Sequence, residues 1–251
     1  MQAVLDALKG QRQELDSILS GLDDETWSAP TPRCPGWTVA DVVLHLAQTD
    51  EAAVASAAGQ LTVLADFTGA GETIKVVDDF AALAVANERG ASPADVYARW
   101  RKGAAAQWES LAACEPGRRL RWVAGEMAAR TLASTRLSEC WIHTGDIADA
   151  VGVALAPTDR LWHIARLAWR TLPYAFARGD RTLVGPVALR LTAPDGTGWN
   201  FGEDADAPTT VTGPALDFCL VAGQRLDASD SALVASGPDA EAVLELVRTF
   251  A

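Results

Sequence analysis

The apolar residues of this 251-residue chain recur with a helical period over the first two thirds and then alternate as in β-strands. Val4, Leu8 and Leu15 begin the helical pattern, which predicts a helix over residues 2–21. The same reasoning predicts further helices over residues 38–58, 77–88, 92–114, 126–151 and 158–177. Amphipathic helices of this length bury their apolar stripes against one another, so we expect a four-helix bundle.

Capping residues predict where several of these helices begin and end. Thr38 and Asp41 have the spacing of a capping box, with Asp in place of the usual Glu. Ser92 precedes Pro93, a combination typical of an N-cap followed by the first helical turn. Other predicted caps and breaks fall at Gly69, Gly71, Gly152 and Thr158.

The last third of the chain has the pattern of a small mixed unit. Strands are predicted over residues 187–192, 198–201, 209–212 and 232–236. Helices are predicted over residues 214–226 and 238–250. The fold class is therefore α+β, with a metal-binding helical bundle at 1–180 and a small α+β domain at 181–251, joined near 178–186.

Composition excludes some classes of function. The net charge of −12 repels phosphate backbones, so we expect no nucleic acid partner. We find neither a signal peptide nor an apolar run of roughly 20 residues, and therefore expect a cytoplasmic protein with no membrane partner. In a reducing compartment the scattered cysteines are expected to be buried thiols, at Cys34, Cys114, Cys140 and Cys219.

A carboxylate and an imidazole are spaced one helical turn apart in the longest predicted helix. Glu139 and His143 lie at i and i+4, on one face of that helix. His45, on an earlier predicted helix, offers a third ligand. Two neutral imidazoles and one carboxylate would hold a divalent metal such as zinc and leave a coordination position open, as catalytic zinc sites do.

Each of these residues also has an interpretation without a metal. An i,i+4 pair of Glu and His is common on helix surfaces, and His45 between two leucines could be a core histidine. Asp146 could orient the imidazole of His143 or be a surface charge. His163 lacks a partner at ligand spacing, and Cys140 points away from Glu139 into the core, so neither is assigned a function.

Two segments resemble the mycothiol-dependent maleylpyruvate isomerase N-terminal family, a branch of the DinB-like metal-binding bundles. They are PGWTVADVVLHLA at residues 35–47 and RLSECWIHTGDIADAVG at residues 136–152. The stretches at residues 191–196 and 211–219 are similar to an actinobacterial subgroup of metal-binding proteins whose C-terminal part resembles a sterol-carrier-like domain.

The resemblance implies the metal ligands and a thiol cosubstrate. The three ligands of the family carry over onto His45, Glu139 and His143, and the metal is expected to be zinc. Mycothiol would bind the metal as a thiolate, add to the cis double bond of a maleyl-type acid, and leave after rotation to the trans product. The implied activity is that of an isomerase or S-transferase acting on a small organic acid or electrophile.

A dianionic substrate of this kind needs a nearby cation. We select Arg225, late in the predicted helix 214–226, and keep Arg136 as the alternative. Arg225 and Asp146 are thus the candidate catalytic side chains outside the metal ligands.

Two other classes of function fit the same residues. The first is a zinc enzyme that uses no thiol, such as a lyase, hydrolase or cyclase, in which the metal acts as a Lewis acid. The second is a non-catalytic protein that binds a small apolar ligand. The sequence does not choose an oligomeric state or a substrate.

Overall fold

The computed structural model describes residues 1–61, 77–115, 117–123, 125–202 and 207–249. It confirms the α+β class, with helices and small sheets. The chain divides into two compact units, Met1–Leu155 and Ala156–Ala251. The division falls before the helix Leu161–Arg178, whereas the predicted boundary near 178–186 places this helix with the bundle. The predicted break at 69–71 lies outside the described residues.

The first unit is a helical bundle. Its helices are α1 (Gln2–Leu19), α2 (Asp24–Trp27), α3 (Val39–Ala57), α4 (Val77–Glu88), α5 (Pro93–Ala112) and α6 (Ala129–Val151). The long helices pack mainly as the pairs α3 with α5 and α1 with α6, and α3 also contacts α6. This packing gives the predicted four-helix arrangement and sets α3 beside α6, the two helices that carry the candidate metal ligands.

Helix α3 begins at the predicted capping box. The Thr38 hydroxyl accepts a hydrogen bond from the Asp41 backbone N–H at 3.3 Å, and the Asp41 carboxylate accepts one from the Thr38 N–H at 2.9 Å. From there α3 is buried on almost every side, with Val39, Val43 and Ala47 completely covered. A helix enclosed in this way holds its polar side chains in fixed positions.

A buried polar network joins the helices of the bundle. The Asp50 carboxylate on α3 accepts hydrogen bonds from Gln107 on α5 at 2.7 Å and from Arg12 on α1 at 3.1 Å. Arg12 also donates to the Gln107 side-chain oxygen, and Arg136 on α6 lies 3.8 Å from Asp50. Because buried ions need close partners, this network fixes how the four helices align.

The start of α6 differs from the prediction. The sequence predicts residues 126–128 as helix, but they lie in a hairpin of β1 (Arg119–Trp122) and β2 (Gly125–Ala128). Gly125 adopts a φ of +98°, which turns the chain into the second strand. Pairing with β1 therefore overrides the helical propensity of this segment, and α6 begins at Ala129.

The second unit contains α7 (Leu161–Arg178) and a four-stranded sheet in the order β4-β3-β5-β6. The strands are β3 (Val187–Thr192), β4 (Gly198–Phe201), β5 (Thr209–Pro214) and β6 (Val234–Ser236). Only the β3–β5 pair is parallel among the described strands of this sheet. The helices α8 (Ala215–Ala222) and α9 (Ala240–Leu246) complete the unit, apart from a short 3-10 turn at Ala228–Asp230.

Helix α7 belongs to this second unit because it contacts α8, α9 and β4. Its predicted cap is wrong: the N-cap is Arg160, and the Thr158 carbonyl, not its side chain, accepts a hydrogen bond from the N–H of Leu161.

Among the described residues, no helix has the combined length and hydropathy needed to cross a bilayer.

Candidate metal centre

The side chains of His45, Glu139 and His143 meet between α3 and α6. His45 Nε2 lies 2.7 Å from Glu139 Oε1. The two imidazole rings are 5.1 Å apart at their centroids and nearly perpendicular. One ligand atom from each of the three residues lies within 4.8 Å of the others. We call these three residues the first site.

The ring of His143 is oriented by a buried carboxylate. Asp146 Oδ2 lies 2.9 Å from His143 Nδ1, and the Asp146 side chain is 1% exposed. Asp146 is therefore not the surface charge that the sequence also allowed. A hydrogen bond from Nδ1 to this carboxylate leaves Nε2 as the donor atom for a metal, an arrangement common among metal-binding histidines.

The electrostatics around His45 and Glu139 favour the unprotonated forms that metal binding requires. Burial lowers the pKa of His45, even though Glu139 and its hydrogen bond act in the opposite direction. Burial acts to raise the pKa of Glu139, but the positive charge of Arg136 and the hydrogen bond to His45 outweigh it and hold that pKa well below its usual range. A neutral imidazole and an ionised carboxylate result at neutral pH.

The side chain of Arg136 is buried in the protein interior. Its side chain is 2% exposed, its Nη1 lies 3.3 Å from Glu139 Oε2, and its Nη2 donates to the Thr49 hydroxyl at 2.8 Å. Its guanidinium also lies over the ring of Trp122, 5.7 Å from the centroid. The structure thus places Arg136 behind the Glu139 carboxylate, where it stabilises the charge of a candidate metal ligand.

Arg225 lies in the second unit, outside any helix. The helix predicted over residues 214–226 ends at Ala222, and the N–H of Arg225 donates to the Leu220 carbonyl at 2.8 Å. Its guanidinium donates to the Gly223 carbonyl at 3.1 Å. Its role as the substrate cation stays a prediction. His163 lies on α7 in the same unit, edge-on to Trp162.

Sequence reasoning missed one side chain at the centre. Cys34 Sγ lies 3.3 Å from Asp146 Oδ2, and Cys34, His143 and Asp146 form a second group whose ligand atoms fall within 4.8 Å of one another. The sequence feature that could have indicated Cys34 is its position in the loop directly before α3, the helix that carries His45. Of the four cysteines predicted to be buried, Cys140 and Cys219 are buried, whereas Cys34 and Cys114 are partly exposed. Burial raises the pKa of the Cys140 thiol to about 12.

Comparison with known proteins assigns the bundle to a family. The profile of the mycothiol maleylpyruvate isomerase N-terminal domain matches residues 8–148, more than half of the chain. The chain belongs to this family. Residues of the first site, together with Cys34 and Asp146, all fall inside the matched region, whereas Arg225 lies beyond it.

Comparison with individual proteins extends the similarity to nearly the whole chain. Two relatives from two strains of Mycobacterium tuberculosis, named "Uncharacterized protein MT0041" and "Uncharacterized protein Rv0036c", are each 36% identical over 253 residues, covering 97% of this chain and 93% of theirs. Crystal structures of the mycothiol-dependent maleylpyruvate isomerase and of a mutant match with TM-scores of 0.63 and 0.62. These structures are 18% identical, over 94% of this chain and 92% of theirs, and therefore support the fold alone.

Proposed function

We propose that this protein is a metal-dependent, mycothiol-using enzyme, an isomerase or S-transferase that acts on a small activated organic acid or electrophile. The observation that carries the proposal is the meeting of His45, Glu139 and His143 between two helices of the family bundle. The family assignment supports the thiol and the isomerase chemistry, and the donor set supports the metal.

The residues of the first site fit a zinc ion. Two imidazole nitrogens and one carboxylate oxygen are ligands that zinc prefers, and three protein ligands leave a coordination position for an exogenous group. When bound, the ion would lower the pKa of a thiol so that it is a thiolate near neutral pH. His45, Glu139 and His143 would hold it.

The surrounding residues would hold these ligands in the orientation and charge state that metal binding needs. Asp146 fixes the ring of His143, and Arg136 keeps Glu139 ionised. Trp37 packs near His45, with ring centroids 5.3 Å apart, and limits the positions that the His45 imidazole can take. Residues held in this way lose little conformational entropy when they bind an ion.

In the isomerase reaction, the mycothiol sulfur would form a bond to one carbon of the cis double bond, and the electron pair would move into the adjacent carbonyl. Rotation about the resulting single bond, followed by cleavage of the carbon–sulfur bond, returns the thiolate and gives the trans isomer. No proton needs to be exchanged. Arg225 stays the sequence-based prediction for the cation that pairs with the negative charge of the substrate.

The test is turnover of maleylpyruvate by zinc-loaded protein with and without mycothiol, combined with metal analysis. We expect bound zinc and thiol-dependent turnover, both lost in His45→Ala. His163→Ala, which removes a histidine of the second unit, is the matched control and should retain both. Equal turnover without thiol would favour the thiol-independent zinc enzyme, and metal binding without turnover of any electrophile would favour the ligand-binding protein.

A further inference from the structure

Two groups of metal-binding side chains share one histidine. His143 belongs to the first site with His45 and Glu139, and it also belongs to the group that contains Cys34 and Asp146. We call the latter group the Cys34 site. In both groups the ligand atoms lie within 4.8 Å of one another, a spacing that one ion can bridge with small side-chain movements.

The two nitrogens of His143 can serve the two groups separately. Nδ1 lies 2.9 Å from Asp146 Oδ2, on the side of the Cys34 site, which leaves Nε2 for the first site. A neutral imidazole has one nitrogen lone pair and one N–H. The ring can therefore bind an ion through Nε2 or through Nδ1, and a neutral His143 cannot serve both at once.

The loop that carries Cys34 is held by its own hydrogen bonds. The N–H of Cys34 donates to the Thr31 carbonyl at 3.1 Å, and the N–H of Trp37 donates to the Cys34 carbonyl at 3.0 Å. The Thr31 N–H and hydroxyl both donate to the Trp37 carbonyl at 2.9 Å. Cys34 is thus presented to the end of α6 by a closed turn.

We propose that Cys34, His143 and Asp146 form a second site for a soft divalent cation, and that this site competes with the first site for His143. A thiolate and a carboxylate would neutralise the two charges of the ion, and the sulfur gives the site a preference for softer ions. The first site, with oxygen and nitrogen ligands only, has no such preference. The inference goes beyond the proposed function because it requires neither mycothiol nor a substrate.

Cadmium titration of the purified full-length protein tests the inference. A thiolate bound to cadmium produces an ultraviolet charge-transfer absorption that imidazole and carboxylate ligands do not. We expect this absorption to saturate at one cadmium per chain and to disappear in Cys34→Ser. The serine hydroxyl can still donate to Asp146 but is a poor ligand for a soft ion.

Two further variants locate the ligands. Cys140→Ala is the matched control, because Cys140 is adjacent to Glu139 yet lies outside the Cys34 site, and it should keep the absorption. His45→Ala weakens the first site and should give an absorption at one equivalent of cadmium at least as strong as that of the wild type, because competition for His143 is removed. Circular dichroism of each variant verifies folding, and Cys34→Ala provides a second removal of the thiol.

Absence of the absorption in the folded wild-type protein, or its persistence in both Cys34 variants, would overturn the inference. The proposed function is tested by a separate measurement. Equilibrium dialysis with zinc reports the first site, and zinc that is retained by Cys34→Ser but lost by His45→Ala supports that site whatever the cadmium result.

Discussion

His45 Nε2 and Glu139 Oε1 lie 2.7 Å apart, although the two residues are 94 positions apart in the sequence. The contact connects α3 to α6 and places an imidazole that burial keeps neutral against a carboxylate that Arg136 keeps ionised. An ion bound between them would replace a proton in an existing hydrogen bond, so we expect the candidate ligands to need little rearrangement.

Removal of the carboxylate should abolish tight metal binding. In Glu139→Gln, the amide is a weaker ligand and Arg136 loses the charge beside it. We expect zinc affinity, measured by competition with a chromophoric chelator, to fall by more than the roughly 100-fold upper range seen for loss of an outer-sphere partner. Glu109→Gln, on the exposed face of α5, should bind zinc as the wild type does. Equal affinities of the two variants would exclude Glu139 as a ligand.

Loss of the Asp146 carboxylate should weaken the first site without destroying it. Asp146→Asn removes the negative acceptor 2.9 Å from His143 Nδ1 and permits the other imidazole tautomer. We expect zinc affinity to fall by about 10- to 100-fold in the same chelator assay. Asp149→Asn, three residues later and exposed, is the control and should change affinity little. Unchanged affinity in Asp146→Asn would argue against an orienting role.

The buried network at Asp50 should dominate bundle stability. Asp50→Ala leaves Arg12 without its carboxylate partner and Arg136 without one of two nearby carboxylates. Breaking a buried pair in this way costs about 3–5 kcal/mol. We expect the free energy of unfolding in urea to fall by about this amount, whereas Glu109→Ala should change it by less than about 0.5 kcal/mol. A small loss in Asp50→Ala would mean that water reaches the two guanidinium groups.

Cysteine alkylation should separate buried thiols from accessible ones. Burial raises the pKa of Cys140 to about 12 and also raises that of Cys219, so both are protonated thiols at pH 8. Raised pKa values move thiolate formation to higher pH, so native-state alkylation of these two should remain slow well above pH 8. Peptide mass mapping after iodoacetamide treatment should find Cys114 modified before either of them. Rapid native modification of Cys219 would contradict its burial.

Local signals in the sequence predicted much of the bundle. The capping box at Thr38 and Asp41, the N-cap at Ser92 and the left-handed C-cap at Gly152 all appear in the structure, because each depends on neighbours within one helical turn. The alternating pattern of residues 187–192 predicted a strand, and these residues form β3. Periodicity also placed His45 and Glu139 on different helices, the arrangement in which the structure brings them together.

Features that depend on distant partners could not be predicted in this way. The β1–β2 hairpin replaced the start of a helix because its strands pair with each other. Arg136 resembles any solvated helix arginine in the sequence, and only the surrounding Thr49, Asp50 and Glu139 make it a buried residue. Cys34 reaches Asp146 across 112 positions, a proximity that local sequence patterns do not indicate.

The balance of buried ions has a consequence for what the centre can accept. The formal charge of Arg12, Arg136, Asp50, Glu139 and Asp146 together is −1 when both imidazoles are neutral. A dication would reverse the sign of the group to a single positive charge. A monoanion that binds such an ion would then restore electroneutrality inside the bundle, so we expect the proposed metal site to prefer a univalent anion over water or a neutral donor.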